Sequence, residues 1–262
     1  MSGDPADCNV SSSAESAASK WYGGTQFPWT DKLREKARTV WGFQDFRPLQ
    51  LPVMNAVLSN ETVFVMMPSL GGKSLCYQLP ALLQPGVTLV ISPYNSLIDD
   101  QVMDLTSFGI KPILLANYDV RSDLMLTRTQ LYQLLKENFP KQRKPNKKAK
   151  VEESEPPHAP SYMVYMTPDA LGKQQSGGAL IKKLRNLGVL NRIVIDECQS
   201  ASKQTWGTLS GPLVAAQILC QHTKDVPFTF LTSACSLSAM YENLYRYDLP
   251  GPSSRVSVDP TG

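Results

Sequence analysis

The chain has 262 residues, a formal net charge of +3 and 42% apolar residues, which suits one large globular domain with a substantial core. A net charge this small does not indicate nucleic-acid binding by itself, so any such inference must rest on local motifs. No apolar run approaches the roughly 20 residues of a membrane-spanning helix, and the N-terminus lacks the pattern of a signal peptide. We therefore expect no membrane partner.

The cysteine and histidine content argues against a zinc site or a disulfide framework. The chain has 5 cysteines, an odd number without C-x-x-C spacing, and 2 histidines. Zinc sites and disulfide scaffolds use closely spaced or even-numbered sets of these residues.

Composition divides the chain into one domain with two tails. Residues 1–25 are mostly small and polar, so we expect a disordered N-terminal tail. We assign residues 26–250 to one α/β domain and residues 251–262 to a C-terminal tail. A charged, Pro-containing insertion occupies residues 141–160. Its lysines form a nuclear import signal, a nucleic-acid-contacting arm or merely a solvated loop.

Helical patterns alternate with short apolar runs along the domain. The predicted helices cover residues 31–40, 51–59, 97–108, 121–139, 179–187, 213–220 and 237–247. The predicted strands cover residues 63–65, 87–91, 113–115, 162–166, 192–195 and 228–231. We expect Thr30 to cap the first helix and Trp41-Gly42-Phe43 to end it. The alternation predicts an α/β fold with a mostly parallel sheet and helices on both faces.

A glycine pair, a lysine and a serine follow the strand at residues 63–65. Gly71 and Gly72 let backbone N–H groups point into one concavity, the next helix adds its positive end, and Lys73 adds an ammonium. Such a nest suits a polyphosphate, with the hydroxyl of Ser74 as a ligand of Mg²⁺. Met67 stands where the pattern G-x-x-x-x-G-K-[ST] has its first glycine, so an ordinary strand-to-helix turn is the alternative.

Two polar residues precede this loop in the chain. Arg47 and Gln50 lie just before the helix at residues 51–59. A glutamine amide pairs with the edge of adenine, and a guanidinium stacks on its ring. The same residue types also decorate the start of an ordinary helix.

Adjacent carboxylates end the strand at residues 192–195. Asp196 can hold Mg²⁺ opposite Ser74, and Glu197 can orient and deprotonate the water that attacks the γ-phosphate. Two acids at a buried strand end are costly without a cation. Together with the loop, they predict nucleotide binding. Hydroxyls after the strand at residues 228–231, including Thr232, either relay nucleotide state or cap a helix.

These motifs resemble a known family. The segments FRPLQ, MPSLGGKSLCYQLPALL, ISPYNSLIDDQV, TPDAL, VIDECQ and LTSACS occur in the order of the first RecA-like motor domain of RecQ-type DNA helicases of superfamily 2. The FPW segment upstream is similar to the short eukaryotic RecQ-like members. The resemblance covers residue 27 to the C-terminus. It implies a RecA-like P-loop domain of an ATP-dependent 3′-to-5′ DNA helicase that uses ATP and Mg²⁺.

The resemblance also implies roles for individual residues. It assigns the nucleotide to Arg47, Gln50, Ser69, Gly71, Gly72, Lys73 and Ser74. It assigns the metal to Ser74 and Asp196, and catalysis to Lys73, Asp196 and Glu197. It places single-stranded DNA along Ser92, Pro93, Ser96, Thr167, Pro168 and Trp206, with Gln199 and Thr232 coupling the two sites. It further implies single-stranded or forked DNA as a partner, a nuclear location, and roles in DNA repair and recombination.

Several positions depart from the family pattern. Leu70 replaces a glycine of the phosphate loop, and it would be strained by about 1 kcal/mol or more if that position has a positive φ. Gln199 replaces a histidine, and Ser233-Ala234-Cys235 replaces Thr-Ala-Thr. The loop after the acidic motif keeps Trp206-Gly207 but lacks the run His-Asp-Phe-Arg-Pro, which removes likely stacking and cation contacts with bases.

The motifs of a second motor domain are absent from the 262 residues. Arginines of that domain stabilise the transferring phosphoryl group in superfamily 2, so we expect that the chain alone does not unwind DNA. A second motor domain or a protein partner would supply the groups that unwinding requires. The alternative is a catalytically impaired RecQ-like protein that binds nucleotide, DNA or a partner as a regulator. A P-loop kinase or GTPase is disfavoured, because no base-recognition or lid motif of those classes is present.

Overall fold

A computed structural model describes residues 22–23, 27–115, 124–139, 159–172, 176–198 and 211–233 of the chain. The helices are α1 (Thr30–Trp41), α2 (Gln50–Leu58), α3 (Leu75–Leu83), α4 (Asn95–Ser107), α5 (Arg128–Asn138), α6 (Pro168–Gly172), α7 (Ser176–Leu187) and α8 (Gly211–His222). The strands are β1 (Val63–Met66), β2 (Gly86–Ile91), β3 (Ile113–Leu115), β4 (Met125–Leu126), β5 (Ser161–Met166), β6 (Leu190–Ile195) and β7 (Phe228–Thr232). Within these ranges, none of the helices combines the length and apolar character needed to cross a bilayer.

The seven strands form one sheet in the order β1-β7-β6-β2-β5-β3-β4, and all of its pairs are parallel. Strand β7 lies between β1 and β6, with Val65 opposite Leu231 and Ile195 opposite Phe230. Because the strands are parallel, the carboxyl ends of β1 and β6 meet at one edge of the sheet. The predicted α/β fold with a mostly parallel sheet is confirmed.

Apolar cores cover both faces of the sheet. Alternate strand residues such as Phe64, Leu89 and Ile193 pack with residues of α5 to α8 on one face. The residues next to them in each strand, such as Val63, Val90 and Val194, pack with α2, α3 and α4 on the other. Strands covered on both faces read as continuous apolar runs, which is why the sequence predicted them closely. The predicted helices on both faces are confirmed.

The first helix ends as predicted but begins differently. Gly42, at φ 72°, takes the left-handed conformation that closes α1; its N–H donates to the carbonyl of Arg38, and the N–H of Phe43 donates to that of Ala37. Thr30 does not cap the helix, since it already lies in the first turn and Trp29 occupies the cap position. Its hydroxyl instead accepts a hydrogen bond from the N–H of Phe27 at 3.2 Å. The predicted cap was therefore wrong by one position.

The helix predicted over residues 121–139 is in fact shorter. Strand β4 occupies part of that range, and α5 begins only at Arg128. Thr127 caps α5 in a capping box, in which its hydroxyl accepts from the N–H of Gln130 and the Gln130 side chain accepts from the N–H of Thr127. Apolar spacing alone did not reveal this start, although Thr-x-x-Gln is a capping signal.

Some predictions lie outside the described residues. These are most of the N-terminal tail, the C-terminal tail, most of the charged insertion, the helix predicted over residues 237–247, and the residues Gln199, Trp206, Ala234 and Cys235. The disordered tail predicted over residues 1–25 is wrong at Tyr22, which is buried and whose carbonyl accepts a hydrogen bond from Nδ2 of Asn55 at 2.8 Å.

Candidate active site

A cleft of about 640 Å³ lies at the edge of the sheet where β1 and β6 end. It brings together residues from three separate motifs of the sequence. The predicted site residues that line it are Arg47, Gln50, Gly72, Lys73, Ser74, Asp196 and Glu197. The convergence of the loop and the acidic pair on one site, which the sequence predicted, is present in the fold. Ser69 and Gly71 do not line this cleft.

Gln50 connects the residues before α2 with the loop after β1. Its Oε1 accepts from the N–H of Arg47 at 2.9 Å, and its Nε2 donates to the carbonyl of Gly72 at 3.2 Å. Gly72 has φ 83°, and a Cβ at this position would lie 2.3 Å from Gln50 Nε2. The positive φ favours glycine, and a Cβ here would displace the Gln50 amide from its hydrogen bond to Gly72.

The turn that precedes Gly72 departs from the predicted nest. Leu70 has φ 65°, so the left-handed conformation considered for this position is present, and its side chain is 92% exposed. Its carbonyl accepts a hydrogen bond from Nη1 of Arg47. The N–H of Gly71 donates to the carbonyl of Pro68 at 2.9 Å and does not point into the concavity. The prediction that both glycine amides face the ligand is therefore wrong for Gly71 in this conformation, because the turn uses that donor itself.

The ammonium of Lys73 lies inside the cleft. Its Nζ donates to the carbonyls of Met67 and Pro68, each at 3.4 Å, and lies 4.0 Å from Oε1 of Glu197. Carbonyl partners and one carboxylate leave this cation well placed to receive an anionic ligand at the start of α3.

Asp196 is held in position by three hydrogen bonds. Its N–H donates to the carbonyl of Ile91 at 2.9 Å, its Oδ1 accepts from the N–H of Glu197 at 3.0 Å, and its Oδ2 accepts from Nε2 of Gln101 at 2.7 Å. The side chain is buried, and burial raises the pKa of Asp196 while the hydrogen bond from Gln101 opposes that shift. A buried carboxylate of this kind favours a bound cation.

Glu197 follows Asp196 with an unusual backbone conformation. Its φ is 46°, a left-handed value that L residues seldom adopt, and such strain clusters at functional sites. Its Oε2 lies 3.5 Å from the hydroxyl of Ser233, just after β7. Thr232 is fully buried, and its carbonyl accepts from the N–H of Met67 at 3.1 Å. The last residue of β7 therefore contacts the start of the phosphate loop, and the residue after it contacts the acidic pair.

The residues of the cleft fit a magnesium–nucleotide complex. A hydroxyl from Ser74 and a carboxylate from Asp196 are hard oxygen donors, which Mg²⁺ prefers, and Mg²⁺ commonly takes its other ligands from phosphates and water. Within the described part of the chain, no group of three or more His, Cys, Asp or Glu side chains is arranged to hold a metal without such help.

Aromatic side chains also line the cleft, and we had assigned none of them to it. Phe43 is 44% exposed and Phe108 is 40% exposed, and the ring centroid of Trp41 lies 5.8 Å from that of Phe108. Exposed aromatic faces beside Arg47 and Gln50 suit a planar base. Phe43 could have been assigned to the cleft from the sequence, because it stands close before the Phe-Arg-Pro-Leu-Gln segment. Phe108 could not, because it follows α4 and reaches the cleft only in the folded structure.

The predicted DNA residues divide by exposure. Ser92 is fully buried, Thr167 and Pro168 are buried, and the Thr167 hydroxyl accepts from the N–H of Ala170 at 3.2 Å. These three side chains are therefore part of the packed edge in this conformation. Ser96 is exposed and Pro93 is half-buried.

Tyr94 is the exposed aromatic residue of this edge that sequence reasoning missed. It stands between Pro93 and the first residue of α4, and its side chain is 53% exposed. An aromatic face at such a position offers a stacking surface for a nucleobase.

Comparison with known proteins identifies the class. Residues 47–235 match the DEAD/DEAH box helicase family. The chain therefore belongs to the DEAD/DEAH box helicases, which is an enzyme family, and the RecA-like α/β fold predicted from the motifs is confirmed. The resemblance to RecQ-type DNA helicases is confirmed, since relatives named as DNA helicases of the Q type match most of this chain.

Two relatives illustrate the similarity. "ATP-dependent DNA helicase Q1" of Rattus norvegicus is 32% identical over 201 residues, which cover 77% of this chain and 27% of that protein. "ATP-dependent DNA helicase Q-like 4B" of Arabidopsis thaliana is 36% identical over 225 residues, which cover 86% of this chain and 17% of that protein. The chain thus spans about a quarter or less of these relatives. Among solved structures, the Pyrococcus furiosus Hef helicase domain matches with a TM-score of 0.49 and 13% identity, over 82% of this chain and 38% of that one.

Proposed function

We propose that this domain is the ATP-binding motor domain of a RecQ-type DNA helicase. It binds ATP with Mg²⁺ in the cleft and couples hydrolysis to 3′-to-5′ movement along single-stranded DNA. Strand separation requires a second motor domain, which supplies further cationic groups to the phosphoryl transfer. Support for the 3′-to-5′ direction comes from the motif resemblance alone.

One observation carries this proposal: Lys73 and Ser74 share a single cleft with Asp196 and Glu197. The two pairs are more than 100 positions apart in the sequence, and they meet because β1 and β6 flank β7 in a parallel sheet. Polar side chains at the carboxyl edge of such a sheet form the usual ligand site of this architecture.

Each residue has a distinct role in the proposed reaction. Lys73 and the amides at the start of α3 hold the outer phosphates, and Arg47 and Gln50 lie where they can reach the base. Bound Mg²⁺ neutralises charge on the phosphates, and Ser74 and Asp196 are the residues that would hold it. Glu197 accepts a proton from the attacking water as general base.

The substitution Glu197→Gln tests the assignment of the general base. It removes the proton acceptor but keeps the size of the side chain, so binding of a fluorescent ATP analogue with Mg²⁺ should persist. Phosphate release stimulated by single-stranded DNA should fall at least about 100-fold, the scale of general-base catalysis. Glu35→Gln, on the exposed side of α1, is the matched control and should keep the parental rate. Equal phosphate release by both variants would contradict the assignment.

Strand separation gives a second test. The purified chain of 262 residues should bind tailed or forked DNA but leave the duplex paired in the presence of ATP. Efficient separation of a forked duplex by this chain alone would show that a second motor domain is not required.

A non-catalytic regulator is the second candidate function, and the loop geometry favours it. The carbonyl of Leu70 accepts from Arg47, and the N–H of Gly71 donates to Pro68, so the turn satisfies groups that a nucleotide could otherwise engage. A chain of this kind would bind DNA or a protein partner without turnover. Titration with a fluorescent ATP analogue separates the candidates: failure to bind, with affinity restored by Leu70→Gly, would favour the regulator.

The charged insertion supports a proposed nuclear location. Lysines and arginines are concentrated in residues 141–150, which is the composition of a nuclear import signal. A fluorescent reporter fused to residues 141–160 should accumulate in nuclei, and replacement of the lysines of this segment by alanine should abolish the accumulation. We also propose that the protein serves DNA repair and recombination, which is supported by the RecQ-type motifs alone.

A further inference from the structure

A series of side-chain hydrogen bonds ends on the carboxylate of Asp196. Gln101 Nε2 donates to Asp196 Oδ2 at 2.7 Å, and the hydroxyl of Tyr77 donates to Gln101 Oε1 at 2.5 Å. Behind them, the hydroxyl oxygens of Tyr77 and Tyr165 lie 3.0 Å apart, and Gln78 Nε2 donates to the Tyr165 hydroxyl at 3.4 Å. We call these five residues the Gln101 relay.

The donors of the Gln101 relay all point towards Asp196. An ionised carboxylate only accepts, so the NH₂ group of Gln101 must face it and Oε1 must face Tyr77. Because the Tyr77 hydroxyl gives its proton to Gln101, its oxygen accepts from Tyr165. This direction fixes the amide of Gln101, since a flipped amide would set Oε1 against the carboxylate and leave Tyr77 facing a donor.

The Gln101 relay spans four elements, and its other members are buried while Gln101 itself is half-buried and lines the cleft. Tyr77 and Gln78 belong to α3, Gln101 to α4 and Tyr165 to β5, while Asp196 follows β6. The exposed fraction is 1% for Tyr77, 0% for Tyr165 and 5% for Asp196. Because the tyrosines and the carboxylate are buried on either side of Gln101, these hydrogen bonds set the orientation of the carboxylate relative to the helix that follows Ser74.

We infer that Gln101 is a positioning residue for Asp196. It holds the carboxylate in the orientation that meets Mg²⁺ on a bound nucleotide, and Tyr77 and Tyr165 keep its amide in place. The inference rests on the proposed function, because it concerns the same magnesium–nucleotide site. Partners that orient a metal ligand commonly change metal affinity about 10- to 100-fold when they are removed.

The experiment compares nucleotide affinity with Mg²⁺ and with EDTA for Gln101→Leu and Tyr77→Phe. A fluorescent ATP analogue should bind each variant in EDTA within about twofold of the parent, because the phosphate loop is untouched. The gain in affinity on adding Mg²⁺ should fall about tenfold for Gln101→Leu, and by less for Tyr77→Phe, which keeps the amide but loses its anchor. Gln133→Leu on α5, where the amide donates to Glu137 at 2.6 Å, is the matched control and should leave both affinities unchanged.

The outcomes separate this inference from the proposed function. An equal loss of affinity with and without Mg²⁺, or no loss at all, overturns the role of Gln101 but leaves the nucleotide site standing. If the parent chain shows no Mg²⁺-dependent nucleotide binding, the proposed function is contradicted. NMR then tests whether Gln101 is hydrogen-bonded to Asp196 and Tyr77. In that case the side-chain amide signals of Gln101 should shift in Asp196→Asn and in Tyr77→Phe, and unchanged signals overturn the inference.

Discussion

The ammonium of Lys73 lies 4.0 Å from Oε1 of Glu197 and thereby joins the loop after β1 to the acidic pair after β6. The exposed fractions of these side chains are 10% and 23%, so water screens the pair only partly. A phosphate that enters the cleft competes with Glu197 for this cation. The same contact therefore holds the site together and presents its cation to the ligand.

Lys73→Ala should weaken binding of a fluorescent ATP analogue in the presence of Mg²⁺ by roughly 10- to 100-fold, which corresponds to about 1.4–2.7 kcal/mol, the range of a charge-assisted hydrogen bond. Equilibrium titration measures the change. Lys111→Ala removes an exposed lysine just before β3 and should bind as the parent does. Equal affinities for the two variants would show that Lys73 does not contact the phosphates.

Leu70→Gly should stabilise the fold by about 0.5–1 kcal/mol. Relief of the strain at positive φ raises the free energy of unfolding by roughly 1–2 kcal/mol. The greater backbone freedom of glycine in the unfolded chain lowers it by about 0.5–1 kcal/mol. The side chain is 92% exposed, so little packing is lost. Urea unfolding measures the effect. Leu70→Ala keeps the Cβ and hence the strain, so it should change the stability by less than about 0.5 kcal/mol. Stabilisation by both variants would assign the effect to the side chain and not to the backbone.

Arg192→Ala should destabilise the fold by roughly 3–5 kcal/mol. The guanidinium is 1% exposed and donates to the carbonyls of Val57, Glu61 and Phe228 and to the hydroxyl of Thr229. Its loss leaves a cavity and removes a hydrogen-bond donor from three buried acceptors and from the half-buried carbonyl of Glu61.

Arg185→Ala is the control for this change. Arg185 pairs with Asp225 at 2.5 Å on a partly exposed surface, where such pairs contribute less than about 1 kcal/mol. In urea unfolding, Arg192→Ala should lose clearly more unfolding free energy than Arg185→Ala. Similar losses would mean that the hydrogen bonds of the buried arginine do not stabilise the fold.

Cys76 should make the stability depend on pH in the alkaline range. Burial raises the pKa of its thiol from 9.0 to about 12 in the folded chain. The folded state therefore keeps a proton that the unfolded chain loses, so this stabilisation is fully present below about pH 9 and is lost as the pH rises towards 12. Each pH unit in that window costs up to about 1.4 kcal/mol.

The measurement compares urea unfolding at pH 8 and at pH 10.5 for the parent and for Cys76→Ala. Buried tyrosines add their own alkaline decline in both proteins, because burial also raises the pKa of Tyr165 to about 12. The free energy of unfolding should nevertheless decline less in Cys76→Ala, because its unfolding in this pH range releases about one proton fewer. An identical decline in the two proteins would mean that the thiol of Cys76 ionises normally in the folded state.

Local features of the chain were predictable because their causes are local. Runs covered on both faces of a sheet are apolar throughout, which located β1, β2 and β6 within one or two residues at each end. From the sequence, the positive φ of Leu70 was only a condition for strain, and the structure shows that the condition is met. The starts of α1 and α5 were missed because a cap depends on which neighbouring side chain is within hydrogen-bonding reach.

The amino-acid sequence by itself determined the elements, the motifs and the chemistry available at the end of each strand. Only the tertiary structure decided which of these groups meet. The strand order β1-β7-β6 is not the chain order, and pairing between distant strands is what sets Lys73 beside Glu197. The same packing buried Ser92 and brought Gln101 to Asp196 across 95 positions. Such contacts depend on the burial of whole faces, a property that no single stretch of the chain carries.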